Sequence, residues 1–169
     1  MSLSHLQKQR EEQRLQHAIE YVRESTNSIK NLTSSELARL NQILTARTDS
    51  TWRNEPVLIK IPTGKSHSLS IVSDPVDSAR KIIGLAFEMA HNQSVGEAAV
   101  YLYVNLVKDH LFQDANRRTA ALAVQWLLGS NEIDFDPNDL LNSPLGDVRE
   151  EAAAKSVEAE ILNLIKDKT

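Results

Sequence analysis

The stretch HLFQDANRR, His110 to Arg118, decides the reading of this chain. It sets a proton acceptor, a hard oxygen ligand, an amide and two guanidiniums around one tight turn. The turn lies between two apolar runs, EAAVYLYVNLV from Glu97 to Val107 and TAALAVQWLL from Thr119 to Leu128. Each run reads as a buried helix, and chemistry carried on a turn between two core helices is held rigidly.

His110 is the natural general base, because an unperturbed imidazole titrates near ~6.5 and is neutral yet basic at working pH. Asp114 offers the kind of oxygen ligand that Mg²⁺ takes from a protein when substrate phosphates and water complete its shell. Ala115 and Asn116 lead into the next helix, whose first N–H groups lack intrahelical partners and carry the positive end of the dipole, so they favour an anion. Arg117 and Arg118 add planar, permanently charged donors that match phosphate geometry. Phe112 is expected to anchor the turn by burying its ring. Plainer readings stand for each residue alone. A histidine at a helix C-terminus is a favourable cation, Asp114 is a candidate cap, Asn116 a turn former and the arginine pair a solvated face. What separates the readings is that all of them occur together, at fixed offsets, between two apolar helices.

At these residues the sequence resembles the Fic/Doc (Fido) family, whose signature runs His-x-Phe-x-(Asp/Glu)-(Gly/Ala)-Asn-(Gly/Lys)-Arg. The resemblance implies catalysis by His110, Mg²⁺ on Asp114, and nucleotide phosphates held by Asn116, Arg117 and Arg118. ATP or another nucleotide would be co-substrate. The implied activity is transfer of AMP, or of phosphate as in Doc, onto a Ser, Thr or Tyr hydroxyl of a target protein. An antitoxin or other regulator and a homodimer are further partners compatible with the family. A Fic-fold module that binds nucleotide and turns over weakly is the alternative.

Two departures bear on the group transferred. Arg117 stands where AMP-transferring members usually have glycine and Doc-type members lysine, and Ala121 stands where AMP transferases commonly carry a further arginine. Some Fic proteins also carry an inhibitory helix with the pattern (Ser/Thr)-x-x-x-Glu-(Gly/Asn). Here Thr26 to Asn31 reads TNSIKN, with Lys30 in place of the glutamate. The resemblance therefore implies no inhibition of this type and makes Lys30 a candidate nucleotide contact, since lysine beside phosphate is favourable.

With 169 residues the chain has the size of one core-bearing domain. A net charge of −4 gives no global field toward nucleic acid, so phosphate binding must be local. Absence of cysteine excludes disulfides, thiol catalysis and zinc thiolate sites. The amino terminus has no apolar h-region, and no apolar run approaches the ~18 residues of a membrane helix. A cytoplasmic location, or delivery into another cell by a non-classical route, is expected.

The fold class expected is all-α, a Fic/Doc-like helical bundle with a small β-hairpin flap. Residues 1–31 form a helical extension, the degenerate inhibitory helix, and 32–169 the Fic/Doc-like domain. Ser4 to about Gln13 is polar, and Leu15, Ala18, Ile19 and Val22 continue as one helical face. Thr33 and Glu36 have capping-box spacing before Leu37, Leu40, Ile43 and Leu44. TDSTWRNEP is a loop. Val57 to Ile61 and Leu69 to Val72 read as strands around Pro62, Thr63 and Gly64. In the family a hairpin here is the flap that orders the target, which makes Val57, Leu58, Ile59, Lys60, Ile61, His67, Leu69 and Ile71 its candidate contacts. Such a flap works because an open strand edge holds an extended peptide through backbone hydrogen bonds. Asp74–Pro75 starts a helix with Val76, Ala79, Ile83, Phe87 and Ala90 inward, and Ser94 with Glu97 starts the helix that delivers His110. Gly129 is expected as a C-terminal cap. Pro137 and Pro144 bracket a short segment before an amphipathic helix from Asp147 to Lys166.

Overall fold

The computed structural model describes residues 4–60, 64, 66–70, 72–166 and 168. Among them run seven helices and one two-stranded antiparallel sheet, the all-α class with a hairpin. None of these helices is long and apolar enough to cross a membrane.

The first helix, α1 (His5–Thr26), is continuous. Its start is a full capping box, with Gln7 N–H on Ser4 Oγ at 3.3 Å and Ser4 N–H on Gln7 Oε1 at 3.0 Å. Ala18, Ile19 and Val22 bury its second half in the core. In α2 (Ser34–Thr45) Thr33 caps Glu36 N–H, but the Glu36 carboxylate accepts from Tyr21 Oη at 2.7 Å and so ties α2 to α1. Leu37, Leu40 and Leu44 are buried as expected, and the fourth fully inward position is the polar Asn41.

Helix α3 (Pro75–Asn92) begins at Asp74, whose side chain accepts from Asp77 N–H at 2.9 Å, with Pro75 in the first turn. Next come α4 (Val95–Asp109), α5 (Asn116–Ser130), α6 (Pro137–Asn142) and α7 (Glu151–Lys166). Every residue of α5 from Thr119 to Leu128 is buried. It is the axis of the bundle, packed by α1, α2, α4 and α6, while α4 also packs on α3 and α7. A helix apolar on all sides requires such a sheath. At roughly 1.5–3 kcal/mol for each large apolar side chain buried, this axis fixes where both of its ends lie.

Three expectations are corrected. The hairpin pairs β1 (Val57–Lys60) with β2 (Ser66–Leu69) in the register Val57↔Leu69 to Lys60↔Ser66, so β2 ends where its strand was expected to begin. Antiparallel closure demands a partner directly after the turn, and beyond Leu69 the Ser70 carbonyl is taken by a side chain. Ile61, Ile71 and the side chains of Lys60 and His67 lie outside the described residues. Gly129 is inside α5, not past its end, and a methyl there would lie 3.3 Å from Thr26 Oγ1, so its smallness serves the α1–α5 contact. The left-handed residue after the helix is Glu132, φ 62°. Finally, α7 starts at Glu151, because the Asp147 carboxylate bonds Arg149 N–H at 3.0 Å and Arg149 Nη1 at 2.9 Å in a turn.

Candidate active site

The turn from His110 to Ala115 joins the C-terminus of α4 to the N-terminus of α5, and both of its ends are left-handed. His110 has φ 49° and Ala115 φ 60°. Non-glycine residues pay of order 1–3 kcal/mol for such backbone and keep it only where surroundings over-determine it. Three sets of contacts do so here. Buried Asn116 bonds back across the turn, accepting from Phe112 N–H and donating to Phe112 O, both at 2.9 Å. Asn41 Nδ2 on α2 donates to Asp114 O and Thr119 Oγ1, each at 2.9 Å. The segment before the flap pairs with the turn as a short antiparallel bridge. Arg53 N–H donates to Leu111 O at 2.8 Å, Gln113 N–H donates to Thr51 O at 3.1 Å, and the rings of Trp52 and Phe112 stack 4.5 Å apart. Phe112 thus anchors the turn as its type suggested, on a partner the sequence did not reveal.

The last carbonyls of a helix have no intrahelical partner. Two guanidiniums cap those of α4. Arg149 Nη2 donates to Val107 O at 2.8 Å and Lys108 O at 2.9 Å, while Arg53 donates to His110 O at 2.7 Å through Nε and to Asp109 O at 3.5 Å through Nη2. Burial first, then these two cations, push the His110 imidazole down from 6.5 to about 4, against the smaller opposing pull of Asp114 and Asp147. The histidine is therefore neutral at ordinary pH, as a proton acceptor must be.

His110, Asp114, Asn116, Arg117 and Arg118 line one cavity of about 360 Å³, closed on other sides by Ile59 of the flap and by Asp147 to Arg149. Helix α5 opens on it. Its N-cap, Ala115, has no capping side chain and its first turn holds no acid, so the orphan N–H groups and the positive dipole end are left for an anion. Asp114 is exposed, with Oδ1 held by Ala115 N–H at 2.6 Å. Among the described residues no three histidine, cysteine or acidic side chains converge as a metal cage. One exposed carboxylate beside an anion site fits Mg²⁺, which completes its shell with phosphate oxygens and water.

Ile59 lines the cavity, whereas its neighbour Leu58 is 61% exposed, the alternation a strand imposes. Ala121 is fully buried inside α5 and does not line the cavity. Lys30 is not brought to the site. Its carbonyl accepts from Ser130 Oγ at the far end of α5, roughly 20 Å along the axis from Asn116 at 1.5 Å per residue, beyond the reach of a lysine side chain. The residue of α1 that does meet the site is Glu11, whose Oε2 lies 3.5 Å from Arg118 Nη1. Sequence reasoning missed Glu11, Asn41, Arg53 and Arg149. Only the buried polar position of Asn41 in an apolar helix face carried a local signal.

No curated protein matches the chain. A solved structure described as a Fic domain containing signaling protein from Bacteroides thetaiotaomicron superposes with a TM-score of 0.66, covering 99% of this chain and 69% of that one at 17% identity. That likeness shows the fold. The Fic/DOC family model matches residues 31–128, more than half of the chain, and the protein belongs to that family.

Proposed function

We propose that the protein is a nucleotide- and Mg²⁺-dependent transferase that modifies a hydroxyl side chain of a target protein, with AMP as the group transferred. The observation that carries this reading is the opening of an uncapped helix start, flanked by Arg117 and Arg118, onto the same cavity as a neutral imidazole and an exposed carboxylate. The N-terminal residues 1–31 are read as the regulatory extension of a catalytic domain at 32–169.

In this mechanism the target's Ser, Thr or Tyr oxygen attacks the α-phosphorus and its proton passes to His110. The bond between the α-phosphorus and the oxygen bridging to the β-phosphate breaks, and pyrophosphate leaves. The N–H groups at the start of α5 and the arginine pair hold the phosphates, so that positioning and charge neutralisation supply most of the catalysis. Mg²⁺ held by Asp114 would neutralise charge on the phosphate oxygens. The flap presents the acceptor by backbone pairing along β1, with Ile59 toward the cavity.

Arg117 and the buried Ala121 favour a second reading within the same class, Doc-like phosphate transfer from an inverted nucleotide. ATP labelled at the α position in one sample and at the γ position in another separates the two. Label in protein from the α sample alone supports AMP transfer, and from the γ sample alone phosphate transfer. The Glu11–Arg118 pair favours a third reading, a nucleotide-binding regulatory module. Mg²⁺-dependent nucleotide binding by calorimetry, with no labelled protein from either sample, would establish it.

A further inference from the structure

Beyond capping α4, Arg53 is 4% exposed and makes more side-chain hydrogen bonds than any catalytic candidate. Its Nε donates to His110 O at 2.7 Å, its Nη1 to Leu69 O at 3.1 Å, and its Nη2 to Ser70 O at 2.8 Å. A longer contact from Nη1 to Glu55 O, at 3.4 Å, brings in the chain that enters β1. One guanidinium therefore touches the catalytic turn, the outer end of β2 and the chain that enters β1.

A buried cation with no carboxylate beside it is costly unless its donors are satisfied. Among the described residues Arg53 has no salt bridge; the Asp109 charge favours it from farther off, and carbonyl oxygens take its donors, including those at the negative end of α4. Filling the same space with hydrocarbon would avoid that cost but could not span three chain segments. Only the planar five-donor fork of arginine reaches carbonyls in several directions at once, and lysine does not reproduce it.

We propose that Arg53 is a positioning residue that locks the base of the flap to the His110 turn, so that an acceptor held by the flap arrives at a fixed place relative to the imidazole. The register supports this. Val57 pairs with Leu69 at the base, and Ile59, two residues along β1, is the flap residue that lines the cavity. Fixing the base sets where Ile59 and a docked acceptor stand. Arg149 caps the same helix end and makes no hydrogen bond to a described residue of the flap, so the two arginines separate placing the turn from coupling it to the flap.

The functional half of this inference rests on the transferase reading, and the structural half does not. Amide hydrogen exchange on the full chain tests the structural half without nucleotide. In Arg53→Gln, segments 66–70 and 110–113 should both exchange faster, by at least the order of 10-fold that losing a hydrogen bond to a charged group corresponds to, with α5 unchanged. Acceleration of one segment alone, of neither, or of α5 equally would overturn the coupling. Should the glutamine variant fail to fold, Arg53→Lys is measured by the same criterion, since lysine keeps the charge but not the fork. In kinetics, Arg53→Lys should raise the acceptor KM and lower kcat while the Kd for Mg²⁺–ATP stays within about twofold. An unchanged acceptor KM, or a matching loss of nucleotide affinity, would contradict it. A wild-type protein with no transfer sinks the transferase reading and leaves the exchange result to decide the coupling.

Discussion

Replacing Asn116 by alanine should destabilise the protein more than any other single change at the turn. In the folded state the side-chain amide satisfies both backbone groups of Phe112, a residue 2% exposed, at 2.9 Å each. Alanine leaves a buried N–H and a buried C=O without partners, at ~1–3 kcal/mol apiece. The adjoining cavity of about 360 Å³ admits water to one of them, which puts the total in the lower half of that range, ~2–4 kcal/mol. For a chain of this length each kcal/mol moves Tm by ~2–4 °C, so a fall of roughly 5–15 °C is expected. Circular dichroism melts of wild type, Asn116→Ala and Asn116→Asp measure it. The aspartate keeps an acceptor for Phe112 N–H but loses the donor to Phe112 O, and should fall between. A drop below about 2 °C for the alanine variant would show that the turn does not depend on this pair of bonds, and the account of how His110 and Ala115 are held left-handed would be wrong.

Three further outcomes follow from the same geometry. With the His110 imidazole held at about 4, the acid limb of kcat/KM should lie near pH 4, well below the ordinary 6.5, and Arg149→Gln should move it upward; a limb at 6.5 in the wild type refutes the burial argument. The sign for stability is that the unfolded chain binds the proton first, so the contribution present above pH 6.5 is lost as pH falls toward 4, which melts between these values check. Glu11→Gln removes the partner of Arg118 in a pair with side chains 41% and 24% exposed, so Tm should change little while Mg²⁺–nucleotide affinity rises up to roughly fivefold, an effect that shrinks in high salt; calorimetry at two ionic strengths reads it.

Much of the candidate site's geometry was legible because it is local. The turn, its flanking helices and the caps at Thr33, Asp74 and Ser94 each depend on residues within a few positions of one another, and the structure places them where the spacing predicts. What escaped the sequence depends on distant pairs. Glu11 meets Arg118 across 107 positions and Arg53 meets His110 across 57, and no periodicity encodes either. Lys30 was drawn to the site by a motif that falls at the end of α1, yet α1 and α5 run side by side so that Glu11 lies by Arg118 and Thr26 by Gly129. The approach to the active end therefore belongs to the start of α1. The strand register and the start of α7 were displaced because single side chains, Arg53 on Ser70 O and Asp147 on Arg149, override propensity there.

If His110 is the base for transfer of a phosphate-containing group to protein, intact and peptide mass spectrometry of a lysate treated with Mg²⁺–ATP will read it out. Wild type should add the mass of an adenylyl or a phosphoryl group to a Ser, Thr or Tyr of a recipient protein, and His110→Ala should lower that yield by on the order of 10² to 10⁴ while still folding. Equal modification by the two proteins would contradict the account.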